Sequence, residues 1–252
     1  MPLPKSAVVV PLYIYPLSTE SWGPLYAAIE TNPTLTFLII VNPNSGPGLP
    51  NDPSPDESYA RQLPRLNAYR NVIAIGYIRI DYCRKALPEA LAEIDRYASW
   101  SENYESTGLA VRGIFVDETP NHHSSERAMY LAEIGRYVKS REGILGERFV
   151  AHNPGTPPDQ RLCPPSTTDL IFTCEESYAR FRSDEVQTWL EAHPFDRDRA
   201  GYMLSGVPVH ELRGLVAELR TRAAWIFVTD VQVDFYERFG EAWGPFVRAL
   251  HG

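Results

Sequence analysis

Cysteine is scarce. Three residues in 252, Cys83, Cys163 and Cys174, exclude a disulfide framework and leave room for one bridge at most. None of their spacings forms a zinc pattern, so no metal is expected. Cys174, inside an apolar run, reads as a buried thiol. Basic residues are in the minority, 24 Lys and Arg against 32 Asp and Glu, for a formal net charge of −8. That balance argues against a nucleic-acid partner, because phosphate binding needs clustered cations. The apolar run in MPLPKSAVVVPLYIYP is too short to span a bilayer and is interrupted by Pro11 and Pro16. The same stretch lacks a signal-peptide pattern, which leaves an intracellular protein or a mature domain without its leader as alternatives. No G-x-G-x-x-G follows a strand-like run and no G-x-S-x-G elbow occurs, which excludes a dinucleotide site and Ser-His-Asp hydrolysis. No organic cofactor is expected.

What is present is alternation. With 44% hydrophobic and 22% charged residues the composition is ordinary globular. Eight apolar, β-branched runs recur: Ala7–Tyr15, Leu35–Val41, Asn71–Ile80, Val111–Val116, Arg148–His152, Asp169–Cys174, Ala200–Leu204 and Trp225–Thr229. Runs of this kind suit strands buried on both faces of a parallel sheet. Between them lie helical signals: WGPLYAAIE after Ser18 and Ser21, PEALAEIDRYASW opening on Pro88, ERAMYLAEIGRYVKS after Ser124-Ser125, DEVQTWLEAH after Ser183, then His210–Arg222 and Gly240–Leu250. Eight strand–helix alternations in one chain of this length predict a single-domain α/β fold, a (β/α)8 TIM-type barrel over residues 1–252. Arg148–His152 and Ala200–Leu204 are the weakest strand signals. Two Pro/Gly-rich segments, Asn42–Pro64 and Asn153–Thr168, break the rhythm. Both follow strands, so in a barrel both lie on the C-terminal face, where active sites are built.

The chemistry concentrates in acids at strand ends. GIFVDETP, Gly113 to Pro120, runs a strand into Asp117-Glu118, and LIFTC ends in Glu175-Glu176. Glycosidic cleavage needs two carboxyl groups flanking the bond, one protonated and one ionised, and clustering drives their pKa values apart. Acids in such places also cap helices or pair with arginine. Period-two alternation puts Asp117 on the face of Phe115 and Glu118 on that of Val116, so both reach one cleft only if the strand ends or bends near Asp117. Tyr13 and Tyr15 share a face of the first strand. Aromatic faces at a barrel mouth stack on sugar rings, although a tyrosine on an inner strand also serves as core. Tyr77, Tyr82, Tyr178 and Trp225 carry the same two readings. Asn42 and Asn44 offer donors and acceptors to hydroxyls, or build turns. His122-His123 has no further ligand at metal spacing and reads as loop.

The series PLYIYP, IIVNPNSGPG, GYIRIDY, GIFVDE and FTCEESY, from about Val8 to Tyr178, resembles the spherulin-4-like proteins, glycoside hydrolase family 135, the fungal endo-α-1,4-N-acetylgalactosaminidases. The resemblance implies a (β/α)8 barrel acting on a secreted polysaccharide, galactosaminogalactan, with Asp117, Glu118 and Glu175 as the functional acids. Glu175 is preferred to Glu176 because the family's Glu lies shortly before a Ser-Tyr, here Ser177-Tyr178. The sequence departs from the pattern at Arg79 and Asp81 of GYIRIDY. The expectation is therefore a glycoside hydrolase, secreted or at the cell surface, acting as a monomer on a polysaccharide. Glu118 is favoured as acid, because its apolar strand neighbours would raise its pKa, and retention of configuration is expected. Tyr13, Tyr15, Asn42, Asn44, Tyr77, Glu176, Tyr178 and Trp225 are the candidate substrate contacts. The alternative is a non-catalytic carbohydrate-binding or surface protein on the same barrel.

Overall fold

The eight apolar runs form eight parallel strands: β1 (Ala7–Leu12), β2 (Phe37–Val41), β3 (Val72–Arg79), β4 (Gly113–Asp117), β5 (Phe149–Asn153), β6 (Leu170–Ser177), β7 (Ala200–Ser205) and β8 (Trp225–Val228). Each pairs with its sequence neighbours, and β8 pairs with β1 to close the barrel. This is a computed structural model describing residues 4–49, 52 and 54–251. The first three residues, and positions 50, 51 and 53 of the Pro-rich segment, fall outside the described residues.

Alternation explains why both faces of each strand are apolar. One set of side chains, among them Val9, Leu38, Ile40, Ile75, Phe115, Ala151, Phe172 and Met203, fills the barrel interior. The other set, including Val8, Val10, Ile39, Val41, Ile114, Val116 and Val150, packs against the surrounding helices. Those helices are α1 (Gly23–Thr31), α2 (Glu57–Asn67), α3 (Leu87–Ser99), the short α4 (Tyr104–Thr107), α5 (Ser125–Ser140), the short α6 (Tyr178–Phe181), α7 (Asp184–Ala192), α8 (Leu212–Arg222) and α9 (Trp243–His251). Serine caps start α5 and α7: Ser124 accepts from the Arg127 amide and Ser183 from the Val186 amide.

Two features depart from the regular pattern. The second half of the Asn42–Pro64 segment is helix α2, capped by Asp56 and anchored by buried Tyr59, Leu63 and Leu66. After β5 the described chain forms only a single 3-10 turn, Gln160–Leu162, where a regular barrel has a helix. The Pro-rich composition of Asn153–Thr168 accounts for this, since proline lacks the amide hydrogen a helix interior needs.

Glycines admit close contacts within the barrel. A Cβ on Gly113 would sit 2.1 Å from the Phe149 carbonyl oxygen of β5, whereas one on Gly23 would meet nothing within 4 Å. Gly113→Ala is therefore expected to cost about 2–3 kcal/mol, because the obstacle is backbone and cannot rotate away. Gly23→Ala, at the start of α1, is expected to be neutral or stabilising by roughly 0.5 kcal/mol. Thermal or urea denaturation of the two variants measures both.

Candidate active site

β4 delivers Asp117 into the barrel mouth and then stops. Asp117 continues the inward face of Phe115 and lies in register with Arg79 of β3 and Asn153 of β5. The next residue, Glu118, has φ +53°, a left-handed conformation that costs a residue with a Cβ about 1–2 kcal/mol. The turn swings its side chain toward β3, where Glu118 Oε2 accepts from Arg79 Nε at 2.8 Å. The two adjacent acids thus diverge. Glu118 sits in an ion pair with Arg79 and not among the apolar strand neighbours on which its expected role as acid rests.

β6 places the third acid through a bulge. Strict alternation from Leu170 and Phe172, both inside the barrel, would point Cys174 and Glu176 inward and Glu175 outward. Instead the register with β7 shifts between Phe172 and Cys174. One extra residue, Thr173, reverses the phase beyond it. Cys174 consequently packs in the helix-facing layer, and Glu175 turns to the barrel mouth. Its amide is held by the Gly155 carbonyl at 3.0 Å. Glu176 faces away and pairs with Arg180 at 3.4 Å.

Asn153 joins the two inward acids. Its Nδ2 donates to Asp117 Oδ1 at 2.8 Å and to Glu175 Oε2 at 2.7 Å. Those two oxygens, both bonded to one nitrogen, lie no more than about 5.5 Å apart. Each carboxyl keeps a tyrosine on its other oxygen: Tyr77 Oη donates to Asp117 Oδ2 at 2.6 Å, and Tyr236 Oη donates to Glu175 Oε1. Tyr13 completes the ring of aromatics, 5.6 Å from Tyr77 and 5.0 Å from Tyr236 between ring centroids. A cavity of about 240 Å³ adjoins this group, lined by Tyr13, Asp234, Phe235, Tyr236 and Glu237.

Burial dominates the electrostatics here. Desolvation pushes both Asp117 and Glu175 above the usual carboxylate range, against the lowering effect of their hydrogen bonds. The charge of Asp117 raises Glu175 further. The phenols of Tyr13, Tyr77 and Tyr236 are also pushed up, first by burial and then by the neighbouring acids. They stay protonated at neutral pH and act as donors.

Strain accumulates beside Glu118. Asp81, Tyr82 and Cys83 are consecutive and all left-handed, with φ of 49°, 53° and 68°. The Tyr82 amide donates to the Glu118 carbonyl at 2.8 Å, and Arg84 grips the Asp81 carboxylate at 2.6 Å. Three such residues in a row cost backbone energy, and the surrounding contacts at the end of β4 hold them there.

The other expected contacts divide. Tyr13 and Tyr77 are in the site. β1 ends at Leu12, so alternation does not carry through to Tyr15, which leaves the centre, donates to Asp56 at 3.0 Å and is half exposed at the rim. Asn42 accepts from the Gly46 amide at 3.1 Å, a turn-building bond, and Asn44 lies in the same turn. Tyr178 opens α6 with Arg182 over its ring, 5.3 Å away. Trp225 requires correction. It is the first residue of β8, paired with Ala7 at the start of β1 and packed on Phe149 at the start of β5. It therefore closes the N-terminal end of the barrel, opposite the acids. Asn153 and Tyr236 were missed. Asn153 opens the Pro-rich segment after β5 that the sequence marked as functional, whereas nothing in the pattern around Tyr236 distinguishes it.

A closed barrel carrying paired carboxyls at the C-terminal ends of β4 and β6 belongs, by architecture, with the TIM-barrel proteins. More specifically, the chain belongs to the spherulation-specific family 4, whose model matches residues 7–250. It is 31% identical over 195 residues to Spherulin-4 of Physarum polycephalum, covering 77% of this chain and 52% of that protein. The chain thus spans about half the length of that relative. It superposes on Sph3 of Aspergillus clavatus, crystallised in complex with GalNAc, with TM-score 0.92 and 37% identity over 99% of this chain and 98% of that one. The GH18 chitinase ChiB of Flavobacterium johnsoniae shares the barrel fold, with TM-score 0.53 and 10% identity over 98% and 93% of the two chains. No helix among the described residues is long and apolar enough to cross a membrane.

The raised carboxyls make stability depend on pH in a defined direction. A folded-state pKa above the unfolded value means that the native protein holds the extra proton, so stability falls as pH rises from the ordinary carboxylate range through the raised value. Glu175→Gln removes this cost. The variant is expected to be more stable than the parent at neutral pH by roughly 1 kcal/mol. The difference should shrink as pH drops below the ordinary glutamate range. Thermal melts across that pH interval check the sign.

Proposed function

We propose that the protein is an endo-acting glycoside hydrolase, secreted or at the cell surface, that cleaves α-1,4-linked N-acetylgalactosamine and galactosamine polymers such as galactosaminogalactan. The observation that carries this reading is the Asp117–Asn153–Glu175 bridge. Two buried carboxyls that cannot both ionise cheaply divide into an acid and a base or nucleophile, which is what glycosidic cleavage requires. The two oxygens bridged by Asn153, no more than about 5.5 Å apart, favour the close spacing of retaining enzymes over the wider one of inverting enzymes. The likeness to Sph3, bound to GalNAc and 37% identical over nearly the whole chain, supports the choice of sugar.

In this reading Asp117 and Glu175 are the working pair. One donates its proton to the leaving glycosidic oxygen while the other attacks the anomeric carbon. The first then takes a proton from the water that releases the sugar, regenerating both groups. Asn153 fixes their separation, and Tyr77 and Tyr236 hold each carboxyl in one rotamer. Glu118, gripped by Arg79, holds substrate on the β3 side.

Purified galactosaminogalactan incubated with the protein is expected to release oligosaccharides with retained anomeric configuration, read by mass spectrometry and NMR. Asp117→Asn and Glu175→Gln should each slow release more than about a thousandfold, and Glu118→Gln less. Binding without cleavage, unchanged in Glu175→Gln, would instead establish a non-catalytic carbohydrate-binding barrel.

A further inference from the structure

A groove lies across β6 from Glu175. It encloses about 740 Å³ between the outer side of β6 and α7, and Gly155, Thr156, Trp189 and His193 are among its lining residues. Its origin is structural: after β5 only the 3-10 turn stands in for a helix, and α7 buries Val186 alone. The helix packs on the barrel wall only through Val186 and the partly buried Leu190, which leaves a groove beside them.

Three observations point to a ligand. Trp189 is 41% exposed yet held in place, its indole donating to Thr156 Oγ1 at 2.9 Å and its ring tilted by 34° against His193 at 3.7 Å between centroids. An ordered, exposed indole is a preorganised stacking surface. Thr173, the bulge residue, lines the groove and is 2% exposed, and its hydroxyl has no hydrogen-bond partner. A buried hydroxyl left unpaired costs about 1–3 kcal/mol, which a ligand hydroxyl would recover. Cys174 beside it is pushed up by burial to about 12, so the wall is uncharged at that point, while Glu176 and Arg180 supply polar groups. Apolar walls with a few convergent polar groups are the ordinary composition of a small-ligand site.

The groove comes near the acids at Gly155, which lines it. Gly155 bonds the Glu175 amide through its carbonyl, and Thr156, the next residue, holds the indole. The path from the Glu175 Cβ to the indole nitrogen, counted through Gly155 and Thr156, is at most about 15 Å, a reach that suits sugar units a short way along the same chain. We infer that the Trp189 groove is a distal subsite, in which a further sugar of the glycan stacks on Trp189 and its hydroxyls meet Thr173 and Glu176. This inference rests on the glycosidase reading of Asp117 and Glu175.

Calorimetric binding of α-1,4-linked N-acetylgalactosamine disaccharide and hexasaccharide in a Glu175→Gln background, where turnover does not interfere, tests it. Trp189→Ala is expected to weaken the hexasaccharide about tenfold, as loss of an aromatic stacking contact would, and the disaccharide less than twofold. Trp189→Phe should keep most of the hexasaccharide affinity. If both lengths bind and the parent protein cuts them, but Trp189→Ala leaves the hexasaccharide unchanged, the subsite is disproved and the glycosidase stands. If neither length binds nor is cut, both readings fall together. If Trp189→Ala abolishes self-association and not glycan affinity, the groove belongs to a second copy of the chain and the inference is overturned.

Discussion

Two carboxyl groups share one amide, and most of the surrounding architecture is needed to make them do so. Asp117 and Glu175 are taken out of water at a separation where ionising both is costly. Asn153 supplies one N–H to each, and a tyrosine supplies the second donor on either side. The arrangement needs β4, β5 and β6 adjacent and in register, which the closed barrel provides, and it needs Phe115 and Phe172 filling the interior beneath. Removing water from the mouth strengthens every electrostatic interaction there. The polar group at the top of the barrel is thus sustained by the apolar layers below it.

The barrel was legible because strands buried on both faces announce themselves as continuous apolar runs, and even the two weakest, around Val150 and Met203, became strands. The loops that matter were legible too, because proline and glycine cannot be absorbed into helices. Direction and phase were harder. Trp225 reads from sequence like any aromatic beside an apolar run, but it begins its strand, so it lies at the wrong end. Glu175 and Glu176 are indistinguishable by composition, and period-two alternation alone favours the wrong one. The bulge at Thr173 decides between them, and a bulge is one residue with no sequence signature of its own. The family motif, with Ser177-Tyr178 close behind, had already selected Glu175, and the extra residue supplies the physical reason. Asn153 and Tyr236 lie 36 and 61 positions from the acids they hold, Asp117 and Glu175 respectively, and no local pattern reaches that far.

Glu118 illustrates the opposite case, a residue whose neighbourhood in sequence misleads. Its strand neighbours are apolar, yet its left-handed backbone carries it away from them to Arg79. A solvent-screened ion pair of that kind contributes little to stability, less than the strain of its own backbone and of Asp81, Tyr82 and Cys83 beside it. The pair is therefore not there for stability. Together with the Tyr82 amide on the Glu118 carbonyl and the Ile80 amide on the Asp117 carbonyl, it clamps the end of β3 to the end of β4.

That clamp separates two tasks. The Asp117–Asn153–Glu175 bridge is built from short side chains on or beside paired strands, where a shift of one ångström would break the shared amide; its geometry is fixed by the barrel. Arg79 ends β3, and Asp81 and Tyr82 sit on the strained turn that follows, held by ion pairs, where side chains change with less disturbance to the strands. Arg79 and Asp81 are also where this chain departs from the family motif. In the proposed glycosidase reading, bond cleavage and recognition of the sugar's substituents rest on different mechanical supports. Substitutions on the β3 side are then expected to alter which hexosamine is accepted, with the chemistry at Asp117 and Glu175 unchanged.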